Sequence, residues 1–355
     1  MDKELAAFVL VFVLAFGLTF VCLPIFDVLG KRWGIVASAG GRRLSEGDWR
    51  GVSRLGGVAV FIGFTITAIA AQFLDTPRFD EAELMRMSGL LLGGTFLFLV
   101  TVLDDIYELS PLQLGIAQII TAAIAISMQI FIETFNNPFT GQQIDPWPPL
   151  VTVTVTMFWL GLMMNTVNFM DGLDGLVAGV AFIAGGMLFI NSAFVLNPAQ
   201  TSVSLLPLAL MGASAAFLLF NFYPARIFLG GGAYYVGYLL GTLSIIGGAK
   251  MATILLVMGL PLTDLAWQVA NRLRQGRNPM YGDRGHIHFR LLDMGFTQRQ
   301  IVLVYYVFCA SFGILTLVTV SRLFKFIAFG VMVMLIAVGF GMVARLSQME
   351  SSTSS

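Results

Sequence analysis

Apolar stretches dominate the chain and recur at lengths that fit membrane-spanning helices. A spanning helix needs about 20 apolar residues, with roughly 17–25 tolerated. Stretches near 5–26, 55–74, 87–103, 112–132, 149–164, 176–195, 205–222, 233–248, 250–268, 301–320 and 324–345 meet or approach that length. The pattern predicts an all-α polytopic membrane protein with about eleven transmembrane helices. The first stretch is too long for a signal-peptide core, and no small-residue cleavage pattern ends it, so it is read as a span. Gly89, Gly93 and Gly94 sit at helical spacing and suit close helix contact in lipid. No internal repeat and no Pro-rich or Ser-rich linker divides the chain. A single transmembrane domain over 1–347 follows, with a polar tail at 348–355 expected to be disordered.

Composition agrees. Of 355 residues, 57% are hydrophobic and 11% charged, under half the roughly 25% of an average soluble domain. An ordinary soluble protein and a disordered chain are both excluded. The formal net charge is zero, which gives no argument for nucleic-acid binding. Cys22 and Cys309 lie in apolar stretches without a CxxC pair and read as packing residues.

The charges are unevenly placed. Loops after odd-numbered spans, with the C-terminus, hold 14 of the 20 Lys and Arg residues. The positive-inside rule then puts these loops and the C-terminus in the cytoplasm and the N-terminus outside. The site is therefore expected at the inner membrane.

Four polar clusters fall on that side. Asp104 and Asp105 are adjacent carboxylates where the third span ends, with Glu108 a turn on. Like charges so close need a cation or a shared proton unless water solvates them as an ordinary turn; the cation reading is Mg²⁺, which takes one or two carboxylates and leaves room for phosphates. Asn165, Asn168, Asp171 and Asp174 recur every three residues after the fifth span, which on a helix makes one drifting polar stripe. Gly172 and Gly175 open the backbone beside them, although turn and cap residues alone would explain the two Asp-Gly pairs. His286 and His288, the only histidines, share one loop with Arg284 and Arg290. Arg and His together suit an anion, while a topology-setting basic loop explains the arginines but not the paired histidines. Arg42, Arg43 and Arg54 form a basic loop before the second span, suited to anionic head groups or to topology alone. Acidic loops that suit a metal and basic loops that suit phosphates on one side point to phosphoryl-group chemistry on a lipid. A transporter would instead line a midplane path with its ionisable groups.

The motifs resemble those of the polyprenyl-phosphate N-acetylhexosamine-1-phosphate transferases over nearly the whole chain. DDIYELSP is similar to the family's DDxxxLxP, with Gln118 matching its following Gln, and NTVNFMDGLDGL to NxxNxxDGxDGL, the most specific match. NFYPARIFLG resembles NxxPAxxFMG, and the segment ending at Asp264 the family's PxxD. The loop carrying HIHF is nearer to the HxHHxL of the undecaprenyl-phosphate N-acetylglucosamine-1-phosphate transferase branch. The resemblance implies transfer of a sugar 1-phosphate from a UDP-sugar to polyprenyl phosphate, with Mg²⁺ or Mn²⁺ as cofactor and release of UMP, for cell-envelope glycan synthesis. It implies catalytic roles for Asp104, Asp105, Asp171 and Asp174, with Asp104, Asp105 and Asp174 as metal ligands. Asn165, Asn168, Arg54, Asn221, His286, His288 and Arg290 are the implied substrate-binding residues. Partners would be the two substrates and membrane lipid, with a homodimer or partner membrane proteins also open.

Four positions depart from the family pattern. Gly231 stands where FMGDxGS has a metal-binding Asp, Phe289 where the third His falls, Leu114 where a Lys falls and Ser45 where a His falls. Two expectations follow. The remaining carboxylates hold the metal and activity is kept, or the chain is a degenerate relative that binds lipid or nucleotide-sugar or serves as a membrane subunit.

Overall fold

The computed structural model describes residues 2–37, 51–78, 80–135, 137–140, 142–246, 251–276, 286–319 and 321–353. Among these the secondary structure is helical, with two isolated bridges tying Ser53 to Val36 and to Ile227. The helices are α1 (Asp2–Trp33), α2 (Gly56–Ala71), α3 (Glu83–Tyr107), α4 (Pro111–Ser127), α5 (Pro149–Met170), α6 (Leu176–Ile190), α7 (Thr201–Asn221), α8 (Gly232–Leu243), α9 (Met251–Val257), α10 (Gly259–Arg274), α11 (Ile287–Asp293), α12 (Gln298–Val318) and α13 (Arg322–Thr353). A π-turn, Asn191–Val195, ends α6.

Each of the eleven apolar stretches contains a helix or a helix pair. Among the described residues, seven helical segments are long and apolar enough to cross a membrane, and α9 with α10 would add an eighth if counted as one span bent by 74°. The break falls at Met258, where Gly259 and Pro261 weaken helix continuity. Two further apolar helices, α2 and α4, have 16 and 17 residues, and α8 only 12. At 1.5 Å per residue α8 is about 18 Å long, well short of a hydrocarbon core of about 30 Å. The chain is thus a multi-pass helical membrane protein whose inner helices are shorter than the regular spans the sequence suggests.

Burial separates the helices into an inner and an outer set. α8 and α7 are apolar on nearly every side and almost wholly buried, as a helix inside a larger bundle is. α1, α12 and α13 expose Val9, Val13, Val304, Val307, Leu335 and Val338, as lipid-facing helices do. Close backbone approach holds α8 against α5: a Cβ at Gly237 would lie 2.6 Å from the Met163 carbonyl oxygen, so only Gly fits there. Many polar groups inside the bundle are paired. The Tyr238 hydroxyl donates to the Gly89 carbonyl (2.9 Å), the Trp159 indole donates to Gly241 O (3.2 Å), and the buried Thr121, Thr156 and Thr242 hydroxyls return to carbonyls of their own helices. In lipid, polar groups without water gain most from such internal partners.

Two segments end differently from the sequence expectation. α5 continues to Met170 rather than stopping near 164. Asn165 and Asn168 therefore lie on the helix, whereas Asp171 and Asp174 lie in the turn beyond it, and the four do not form one helical stripe. Gly175, with φ of +83°, is the N-cap of α6 and sets the turn in a conformation open to Gly. At the other end of the chain, α13 runs as helix through Thr353 where the polar composition suggests no fixed structure. Once a long helix exists, each added residue gains a hydrogen bond without a new nucleus.

Candidate active site

One end of the bundle gathers the tips of α1, α3, α5, α7 and α10 and the starts of α2, α4, α6 and α8. Ser53 ties the entry loop to the rest: its hydroxyl donates to Phe26 O (3.1 Å), and its carbonyl accepts from Phe228 N (2.8 Å). Gly56 N and Gly57 N donate to the carbonyls of Phe228 and Leu229 at 2.9 and 3.0 Å. The start of α2 is thereby fixed to the segment that leads into α8.

The α3 tip carries Asp104 and Asp105. Glu108 closes the helix in a left-handed conformation, φ 51°, and Asp104 Oδ1 accepts from Leu109 N at 2.7 Å. Ser110 and Gln113 then form a reciprocal capping box that starts α4, with Pro111 at its favoured first position. This local sequence accounts for the sharp turn that leaves both half-buried carboxylates at the helix end. Asp105 reaches sideways: its Oδ2 accepts from Gly231 N at 2.5 Å.

That contact explains the glycine. A Cβ at position 231 would sit 2.3 Å from the Thr101 carbonyl oxygen and 2.6 Å from Thr101 Cβ. The α3 backbone occupies the space where a side chain would start, and Asp105 takes the backbone N–H. Gly231 is a close-packing position and not a vacant ligand position.

The α5–α6 turn is bound to the segment between α7 and α8. Asp174 is buried, and its Oδ2 accepts from Ala225 N at 3.0 Å. Burial pushes its carboxyl up to about 6, against the pull of the Ala225 N–H and with a further rise from Asp171. Asn221, at the end of α7, is a bridge: Oδ1 accepts from Gly175 N (2.9 Å) and its amide donates to Ile227 O (2.9 Å). It is buried, and both ends of its side chain are used to brace the turn. Asn221→Ala leaves a buried N–H and a buried carbonyl unpaired, each worth about 1–3 kcal/mol. We expect a loss of about 2–4 kcal/mol, read as a lower unfolding temperature in detergent; a wild-type melting curve would show the bridge to be dispensable.

Asn165 also has a structural partner. Its amide donates to Gln118 Oε1 (2.7 Å) on α4 and to the Gly161 carbonyl (2.8 Å). Asn168 is half-buried one turn further on. Beyond the turn stand both histidines, at the start of α11 and both buried. The His286 ring stacks on Phe169 of α5 (centroids 5.2 Å) and on His288 (5.5 Å). A Cβ at Gly172 would lie 3.0 Å from His288 Nε2 and 2.9 Å from the Phe289 ring, so Gly172 lets the His loop close on the turn. Phe289 packs on His288 at 4.4 Å, an apolar wall where the family has a third His. Burial pushes the His288 imidazole down to about 4, against the opposite pull of Asp264 and with a smaller push from His286; it is neutral at neutral pH.

The structure thus links three of the four clusters in one continuous run: α3 tip to Gly231, Ala225 to Asp174, Gly172 to His288. The fourth enters through Arg54, whose carbonyl oxygen faces Gly230. Arg54 and Arg290 are half-buried, and Arg299 donates to Tyr223 O at 3.1 Å. Arg42, Arg43, Ser45 and Arg284 lie outside the described residues. Leu114 is buried on α4.

A stripe on α10 is not apparent in an apolar stretch. Asp264, Gln268 and Arg272 are all buried and recur every fourth residue on one helix face. Asp264 holds His286, and the Arg272 guanidinium lies 5.9 Å from the Phe169 ring centroid. The four-residue spacing of polar groups was the available signal.

Carboxylate oxygens suit a hard cation such as Mg²⁺. Among the described residues, however, no three His, Cys, Asp or Glu side chains come together as a metal-holding group. Asp104, Asp105 and Asp174 each give an oxygen to a backbone N–H. The donor set fits a cation held by one or two carboxylates and completed by phosphates, and does not fit one caged by the protein alone.

Residues 87–248 match the family model of glycosyl transferase family 4. The chain is 27% identical over 329 residues to the probable undecaprenyl-phosphate N-acetylglucosaminyl 1-phosphate transferase of Bacillus subtilis (strain 168), covering 90% of this chain and 87% of that one. It is 28% identical over 320 residues to the decaprenyl-phosphate N-acetylglucosaminephosphotransferase of Mycolicibacterium smegmatis, covering 84% and 77%. It is 26% identical over 307 residues to the undecaprenyl-phosphate alpha-N-acetylglucosaminyl 1-phosphate transferase of Escherichia coli (strain K12), covering 81% and 78%. The family segment spans the α3 carboxylates, the α5–α6 turn and Gly231, which the fold brings together at one end of the bundle; the chain is similar to glycosyl transferase family 4 over this segment and to polyprenyl-phosphate N-acetylglucosamine-1-phosphate transferases over most of its length.

Proposed function

We propose that the protein transfers N-acetylglucosamine 1-phosphate from its UDP-sugar to polyprenyl phosphate at the cytoplasmic face of the inner membrane, releasing UMP for envelope glycan synthesis. The observation that carries this is the continuous run from the α3 carboxylates through Gly231 and Asp174 to the two histidines. The activities for which the similar enzymes are named support the acceptor and the sugar. The excess of Lys and Arg after odd-numbered stretches supports the orientation.

In this reading a lipid phosphate oxygen attacks the β-phosphorus of the UDP-sugar. A new P–O bond forms to the lipid, the bond from that phosphorus to the bridging oxygen breaks, and UMP leaves. A phosphate monoester has a second pKa near 6, so the nucleophile is already anionic at neutral pH and needs no strong base. The problem is bringing anions together in line. Arg54 and Arg290 supply positive charge. Asp104 and Asp105 would hold Mg²⁺ together with the substrate diphosphate, which would neutralise charge on the phosphates. Asp171 and Asn168 face the turn where the nucleotide-sugar would lie, and Phe169 with His286 lines it. Gly231 does not weigh against activity, because the space of the missing carboxylate is filled by α3 and not left as an empty ligand site.

Purified protein in proteoliposomes should release UMP from UDP-N-acetylglucosamine only when both polyprenyl phosphate and Mg²⁺ are present. Chelation should abolish release, and restored Mg²⁺ or Mn²⁺ should recover it. Substrate binding without turnover across a panel of UDP-sugars would instead favour the degenerate binding protein.

A further inference from the structure

Asp264 lies on α10, outside the motif clusters at the α3 tip and the α5–α6 turn, yet it holds the histidine loop. Its Oδ2 is 2.9 Å from His286 Nδ1, and its Oδ1 accepts from Ile287 N at 3.1 Å. His288 Nδ1 is 3.9 Å from the same Oδ2, beyond hydrogen-bond range. The Nδ1–Oδ2 separation is a hydrogen-bond distance, and a carboxylate without a proton only accepts, so the pairing is met by an Nδ1–H that donates to Asp264. The Nε2 atoms of His286 and His288 are buried and have no hydrogen-bond partner. Both rings are more than nine-tenths buried, and they line the α5–α6 turn through Phe169 and Gly172. Buried polar atoms are normally satisfied; two unmet together at one turn call for a ligand.

We propose that Asp264 is a positioning residue that fixes the Nδ1-protonated tautomer of His286, leaving its Nε2 as a hydrogen-bond acceptor for an O–H or N–H of the nucleotide-sugar. The proposal rests on the UDP-sugar reading above. A bare Nε2 repels phosphate oxygens, which are acceptors too, but matches sugar hydroxyls, the acetamido N–H or the uracil N–H. His288, kept neutral by burial, also acts by hydrogen bonding and not by charge. Contact with the phosphates then falls to the arginines, and the histidines read the neutral parts of the donor substrate. In a related arrangement, a metal-ligating His is oriented by a carboxylate on its other nitrogen, and loss of that carboxylate costs on the order of 10–100-fold.

The test is Asp264→Asn in the full-length protein. The amide oxygen still accepts from Ile287 N, but its NH₂ now faces His286 Nδ1 as a donor. That forces Nδ1 to accept and moves the proton to Nε2. The chain has only two histidines, so ¹⁵N-histidine labelling yields two resolvable rings. In wild type at neutral pH, one ring should show a protonated Nδ1 and a bare Nε2, and this signal should vanish in His286→Gln. In Asp264→Asn that ring should switch tautomer. The KM for UDP-N-acetylglucosamine should rise on the order of 10–100-fold, with the KM for polyprenyl phosphate unchanged. Adding Asp264→Asn to His286→Gln should cost nothing more, because the two act as one unit. A matching rise in the Ki of UMP would place the hydrogen-bond donor on the nucleotide; an unchanged Ki would place it on the sugar. An unaltered tautomer in Asp264→Asn, or a loss that adds in full to that of His286→Gln, would overturn the proposal. Absence of wild-type turnover would sink the UDP-sugar reading alone, since the tautomer signal does not depend on turnover.

Discussion

Gly231→Asp should unfold the protein rather than improve its metal response. Sequence comparison makes the opposite outcome attractive, because the family has an Asp at this position and the chain has none. The packing decides otherwise. A Cβ there meets the Thr101 carbonyl oxygen at 2.3 Å and the Thr101 carbonyl carbon at 2.6 Å. Both are backbone atoms in the interior of a helix, so no rotamer change moves them away. The carboxylate would also arrive beside Asp105, which already takes the N–H of residue 231, and would add a like charge to a half-buried acidic pair. Overpacking of this kind costs typically 1–3 kcal/mol and more where the backbone must shift. The total stability of a domain is only about 5–15 kcal/mol. We expect Gly231→Asp to lower the unfolding temperature sharply and to give aggregated material after detergent extraction. Gly231→Ala separates the two causes, because it adds the Cβ without the charge, and it should account for most of the loss. A Gly231→Ala protein that melts as wild type would show that α3 can move away, and the metal-site explanation of the missing Asp would return.

Long apolar helices were legible because each must carry about 20 apolar residues, a demand set by the bilayer. What that demand does not fix is how a helix behaves once neighbours surround it. α8 is short because other protein, not lipid, covers it. The α9–α10 stretch bends by 74° although its hydropathy is continuous. α5 runs past its apolar stretch because Asn165 finds Gln118 and the Gly161 carbonyl, partners that lie 47 and 4 residues away. The site divides along the same line. Adjacent carboxylates at the α3 tip and paired histidines are out of place in an apolar chain, so they stood out as candidate site residues. Asn221 stood out by motif and Gly231 as a missing Asp, but the sequence did not show that Asn221 bridges Gly175 to Ile227 or that Gly231 lets α3 approach. Gln268 was hidden at the end of a stretch read as a span, and neither the PxxD match at Asp264 nor the basic loop position of Arg272 showed that the three share one buried helix face. Their roles come from long-range contacts, which spacing alone does not carry.

Asp174→Asn should yield a protein that is at least as stable as wild type and nearly inactive. Asp174 sits behind the α5–α6 turn, buried, with Ala225 N on one oxygen. An amide oxygen accepts that N–H equally well, so the turn keeps its tie to the segment before α8. What changes is the charge. Burial raises the Asp174 carboxyl to about 6, so its ionised form is a cost to the fold at neutral pH. The sign follows from the raised value: the favourable contribution is complete below the ordinary carboxylate range and is lost as pH rises through about 6. A rise of this size from the usual value near 4 corresponds to about 3 kcal/mol at most. Asn removes that cost, and the gain over wild type should appear at neutral pH and disappear near pH 4. Activity should move the other way. If the charge helps to arrange cation and diphosphate, removing one such electrostatic partner costs about 10²–10³ in kcat. Asp105→Asn is the comparison for activity, since its amide can also accept from Gly231 N and it too should lose activity. Melting curves across pH and UMP release measured on the same preparations give both quantities. If Asp174→Asn released UMP at the wild-type rate, Asp174 would be a structural tie to Ala225 and nothing more. Lower stability with lower activity would leave the turn's geometry, and not the charge of Asp174, as the reason this buried carboxylate is there.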